Sequence, residues 1–305
     1  MDHYELLRSI VNGFMSQYRR VSVDNSSATS DCVSDRASVV ELATPDSPGF
    51  TGQNGPLTGV PRSRIVFSML INDRDRQFVL SVGRFGQLSP SHLAALHFHD
   101  LASATPMYRA IERLLERGYI KRIERRPVGG AWAGSGQFVY QLGSAGWALV
   151  GREGKYWPFR MVNHHTLAIA DAYVELLKLE RQGRLRIDGY SLEPDSWTVE
   201  AGADLRPDLH IEVSDIHRRR TIRLWIEIDM GTERQKAIKD KLARYWHAAQ
   251  FGSDELREHF PIVLFIAPDD ARASELRWII KRGNQDAQEL FMVSTMPEFA
   301  GLLFA

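Results

Sequence analysis

One strand limits the folds open to this chain more than any other stretch. Residues 223–229 read RLWIEID. Leu224, Trp225, Ile226 and Ile228 mark a buried strand, yet Glu227 and Asp229 interrupt it. Strand side chains alternate faces, so the two acids project the same way. Carboxylates so close repel, and burying either one unpaired is costly. The fold must therefore bring a basic side chain, a metal ion or water to that face.

The flanking sequence shows what surrounds this strand. Residues 163–182 (NHHTLAIADAYVELLKLERQ) have an apolar side at helical spacing: Leu167, Ile169, Ala170, Tyr173, Val174 and Leu177. RLRIDGYSL then reads as a strand. In ADLRPDLHIEVSD, Leu209, Ile211 and Val213 alternate against Asp208, His210 and Glu212. After the acidic strand, a Thr232-x-x-Gln235 capping box opens a helix through Ile238, Leu242 and Tyr245. PIVLFIA (261–267) is a continuous apolar strand, as in a covered parallel sheet. A helix at about 271–282 and the strand ELFMVS follow. The order is αβββαβ, a three-layer unit over residues 156–305.

The preceding region has a different grammar. Residues 1–20 have helical spacing in Leu6, Ile10 and Phe14. Residues 21–63 are rich in Ser, Thr, Asp, Gly and Pro, which bury too little apolar surface to offset ordering entropy, and read as a flexible linker. A segment ending near Gly86 precedes two helices opened by Ser89-Pro90 and Thr105-Pro106. The second closes at Gly118. YIKRIERR and QFVYQL then form a hairpin around the glycine-rich PVGGAWAGSG. Helices followed by a hairpin are the order of a winged helix-turn-helix, here residues 64–155. The fold class expected is α/β plus α+β: an N-terminal winged helix-turn-helix and a C-terminal αβββαβ three-layer domain.

Net charge is zero over 305 residues, so no global basic field attracts nucleic acid and any such patch is local. One lies at Tyr108–Arg126, with seven basic residues against three acidic. Tyr108, Arg109, Arg113 and Arg117 fall on the outer face of the helix beginning at Thr105. Lys121 and Arg122 lie on the hairpin and Trp132 at its tip. Together they are the expected contacts to double-stranded DNA. A helix-turn-helix that binds only protein is the alternative. The single cysteine, Cys32, excludes an internal disulfide and a Cys-rich zinc site. No secretory layout opens the sequence and no apolar run reaches membrane-spanning length, so a cytoplasmic protein without membrane contact is expected. The helix at 1–20 is the candidate surface for a homodimer.

If the strands bearing Asp208 and Glu227 pair, these acids approach on one face. Carboxylate oxygens suit Mg²⁺ or Mn²⁺, and a metal so held activates water against a phosphodiester. Asp208, Glu227 and Asp229 are the metal-ligand candidates, with Lys241 on the next helix stabilising phosphate charge. His210 and Glu193 are lesser candidates. For His164 and His165 a helix-end packing role is expected.

Asp208 in RPD and Glu227 in WIEID, on this strand order, resemble the PD-(D/E)xK nuclease superfamily over about residues 165–267, and the resemblance implies a restriction-endonuclease-like fold for the C-terminal αβββαβ domain. That pattern has lysine two residues after the glutamate; here Asp229 occupies the position and Lys241 is the candidate replacement. GQLSPSHLAALHF, RAIERLLERGYIKR, VYQLGSAGWAL and EIDMGTE…KLARY resemble the replication-relaxation family of plasmids, phages and integrative elements, over roughly 64–255. The resemblance implies a DNA-binding role in replication or mobilisation, with replication or mobilisation proteins as partners. Three readings stay open: a metal-dependent DNA nuclease, a DNA-binding factor on an inactive nuclease-like scaffold, and a protein-interaction module.

Overall fold

The computed structural model describes residues 71–123 and 137–303, which fall in one compact unit. The expected helix at 1–20, the linker at 21–63 and Trp132 lie outside the described residues.

Helix α1 (Asp73–Phe85) starts where Asn72 Oδ1 accepts the Asp75 amide at 2.8 Å and stops at Gly86, whose φ of +81° favours a residue without a Cβ. Helix α2 (Pro90–His97) opens on Ser89 as the sequence predicts, with His92 in the place usually held by Glu or Gln in a capping box. Helix α3 (Thr105–Glu116) corrects the expected cap. Ala104 stands there without a side-chain bond, and the Thr105 amide bonds Ser103 Oγ at 3.2 Å. Met107, Ala110, Ile111 and Leu114 bury its inner stripe. Strands β1 (Ile120–Ile123) and β2 (Val139–Leu142) pair antiparallel, and α4 (Ser144–Leu149) follows.

Helix α5 (His164–Arg181), capped by Asn163, leads into β3 (Leu185–Leu192). A short hairpin, β4 (Thr198–Glu200) and β5 (Ala203–Leu205), comes next. Three-residue strands carry too little alternation to be evident in the sequence. Then come β6 (Leu209–Asp215), β7 (Arg220–Ile228), α6 (Gln235–Phe251), α7 (Asp254–Glu258), β8 (Ile262–Ala267), α8 (Asp270–Lys281), β9 (Phe291–Thr295) and α9 (Phe299–Leu302). The sheet order is β3-β6-β7-β8-β9. The first three strands run antiparallel and β7, β8 and β9 run parallel, so the protein is mixed α/β with a mixed five-stranded sheet.

The expected capping box at Thr232 does not form. Helix α6 begins at Gln235 behind Arg234, and Gln235 Nε2 bonds Glu275 instead, at 3.0 Å. On β7, Leu224, Ile226 and Ile228 join an apolar cluster that includes Phe78 of α1, Leu176 of α5 and Phe299 of α9. Trp225 turns to the other face, with its ring 5.5 Å from that of Tyr245 and 5.2 Å from that of Phe260. The sheet thus carries α5 on one side and α6 on the other. No described helix is long and apolar enough to cross a membrane.

Candidate functional site

The register of β6 on β7 sets the site. Leu209 pairs with Ile226, and the Asp208 amide bonds Ile226 O at 3.1 Å, so Asp208 lies just before β6 and beside Glu227. Asp208 Oδ2 accepts the Ile228 amide at 2.6 Å and His165 Nε2 at 3.1 Å. His165, expected only to pack, thus reaches from the start of α5 to the predicted acid.

The acidic pair of β7 is balanced by side chains, one cation to each acid. Glu227 Oε2 accepts Lys241 Nζ at 2.7 Å, and its other oxygen accepts the Tyr245 hydroxyl at 2.5 Å. Lys241 and Tyr245 are four residues apart on α6, so both face the sheet. Lys241 also holds Glu233 at 3.1 Å. Asp229 is apart from this group. Its Oδ1 accepts the Gly231 amide at 2.7 Å and its Oδ2 accepts Arg272 Nε of α8 at 2.6 Å. Arg272 also donates to the Glu233 carbonyl at 2.8 Å. The structure therefore brings Asp208, Glu227 and Lys241 together and gives Asp229 to Arg272. Arg272, 43 residues further on, carries no local signal that sequence reading could use.

These contacts shift the ionisations. Burial, then the Asp208 charge, raises the Glu227 carboxyl to about 7 against the opposing pull of Lys241. Burial works to lower the Lys241 ammonium, but Glu227 and Glu233 reverse it and the net shift is upward. The hydrogen bond to Asp208 raises His165 despite burial. Glu193, just after β3, is raised by burial and then by Asp208. His210 stands aside, its ring 6.5 Å from that of Trp225, and burial lowers its pKa.

A cleft of about 380 Å³ opens over Glu227, Lys241 and Tyr245, lined also by Asp204, Leu205, Arg206 and Arg244. The expected Mg²⁺ or Mn²⁺ does not fit the donors as arranged. Both oxygens of Glu227 and both of Asp229 are engaged by protein donors, and the Lys241 ammonium lies against Glu227 where a cation would bind. Among the described residues no three His, Cys, Asp or Glu side chains form a metal-holding group.

The basic candidates lie on α3 and β1. Tyr108 is half exposed, and Arg109, Arg117, Lys121 and Arg122 are exposed. The Arg122 guanidinium sits 4.1 Å from the Phe138 ring. Arg113 is engaged within the protein: its Nε and Nη2 each bond buried Asp75 at 2.7 Å, so its guanidinium ties α3 to α1.

Helices leading into a hairpin, followed by a mixed sheet with internally neutralised acids at one strand end, define an α/β protein with two chemically distinct faces. The chain belongs to the replication-relaxation family, whose profile matches residues 80–263. No curated protein and no solved structure matches it.

Proposed function

We propose that this protein binds double-stranded DNA in the replication or mobilisation of a mobile genetic element. In this reading residues 64–155 are a winged helix whose recognition helix is α3. Tyr108, Arg109 and Arg117, with Lys121 and Arg122 of β1, meet the duplex. Residues 156–305 are a PD-(D/E)xK-like scaffold that recruits replication or mobilisation proteins. One observation carries the reading: Arg109 of α3 and Lys121 and Arg122 of β1 are exposed on neighbouring elements, while Glu227 and Asp229 at the end of β7 are held by Lys241 and Arg272. Duplex affinity measured by anisotropy over a salt series tests it. Arg109→Ala should weaken binding and reduce the slope against log salt by about 1. Wild-type affinity equal to that of a neutral control protein would reject it.

A metal-dependent endonuclease, which requires Lys241 to give up Glu227 to the metal, is the second reading, favoured by the open cleft over Glu227 and Lys241 with Arg206 and Arg244 on its walls. Incubating supercoiled DNA with the protein and Mg²⁺ or Mn²⁺ separates the two. Cleavage abolished by Asp208→Ala would favour the enzyme; intact DNA throughout would favour the scaffold.

A further inference from the structure

Between α4 and α5 the chain runs outside any helix or strand, through KYWPFRMVN (155–163). Its outward side chains are large and apolar: Trp157 is 66% exposed, Phe159 58% and Met161 79%. An isolated exposed apolar residue needs no explanation, but three at alternate positions do.

The backbone beneath them is fixed. Buried Gln141 of β2 clamps Phe159 twice, its Oε1 accepting the amide and its Nε2 donating to the carbonyl, both at 2.8 Å. Buried Gln87 donates to the Met161 carbonyl at 3.1 Å and accepts the Asn163 amide at 2.8 Å. Tyr156 donates to Leu142 O at 3.0 Å, and Val162 packs against Ile123, Val139 and Leu167. Pro158 fixes its own φ and keeps Trp157 out of helical geometry. The rings are thus held outward on a rigid strap at little entropic cost to a ligand.

We propose that this strap is a stacking platform for single-stranded DNA, separate from the duplex-binding face and independent of that reading. Two features select this occupant. Lys155 and Arg160, both exposed, flank the rings and favour a polyanion, with Lys155 Nζ 5.9 Å from the Trp157 ring. Two of the three outward side chains, Trp157 and Phe159, are aromatic and present flat ring faces suited to stacking on bases. Only unpaired strands offer base faces, and aromatic side chains beside basic ones bind them with little sequence preference.

The test is anisotropy of a labelled oligothymidine of about 16 nucleotides with the full chain. Wild type should bind it, and Trp157→Ala/Phe159→Ala should weaken binding about tenfold or more. Both rings are exposed, so the double variant should keep the wild-type circular dichroism and duplex affinity. Trp157→Tyr should retain binding. Arg109→Ala should impair duplex binding while sparing the oligothymidine, so failure of either reading is told from failure of the other. Equal affinity of wild type and double variant for the strand would overturn the proposal. So would equal wild-type affinity for an abasic strand of the same length, a result that needs no variant to fold. Conversion of a wild-type dimer to monomer by the double variant would assign the strap to a self-interface and also overturn it.

Discussion

Glu227 shows how one buried carboxyl carries a pH dependence. Its folded value near 7 exceeds the ordinary 4.5, so the folded state holds the proton more tightly than the unfolded state across that interval. The stabilisation is complete below pH about 4.5 and is lost as pH rises through about 7. Measured by denaturant unfolding, wild type should lose stability relative to Glu227→Gln over this window. Parallel pH profiles would refute the assignment. Arg113 makes the opposite point about reading charge from sequence. It sits among arginines expected to meet DNA, yet its fork holds Asp75, whose side chain is 3% exposed. Arg113→Ala strands that carboxylate and should cost about 1–3 kcal/mol of stability. Its duplex affinity, measured on folded protein, should fall less than that of Arg109→Ala.

At the scale of elements, close approach decides where glycine is needed. Helix α4 lies on the hairpin through Gly146, where a Cβ would stand 2.0 Å from the Tyr119 carbonyl oxygen, a backbone atom unable to yield cheaply. Gly146→Ala should destabilise by about 1–3 kcal/mol or more, read as a lowered denaturant midpoint with an unchanged slope. A midpoint equal to wild type would contradict this packing. Most elements were legible in local sequence. Ser89 before Pro90, Gly118 after Leu115 and Asn163 before His164 mark their boundaries by backbone chemistry that acts within a few residues. The Thr232 box failed because its partner was not local: Gln235 bonds Glu275, and Glu233 is held by Lys241.

Across the whole molecule one apolar cluster joins α1 and α3 to α5 and the sheet. Trp147 of α4 packs against this cluster and Trp225 of β7 lies on the opposite face of the same sheet, so together they report whether both sides unfold as one unit. Unfolding followed by near-ultraviolet dichroism and by backbone signal should give coincident transitions, and two separated transitions would contradict the shared core. Local pattern along the chain suffices for the longer elements α5, β3, β6, β7, α6 and β8, the last a covered strand at 262–267, because periodicity and caps act within an element. It also placed Asp208 beside Glu227, since adjoining strands of alternating pattern pair in a register that their apolar faces dictate. Which cation answers each acid depends on the assembled fold. Lys241 reaches Glu227 by the packing of α6 on the sheet, Arg272 reaches Asp229 from α8, and His165 reaches Asp208 from α5. Each pairing bridges elements that meet only when the sheet is assembled, and electrostatic energy depends on that separation in space, not on distance along the chain.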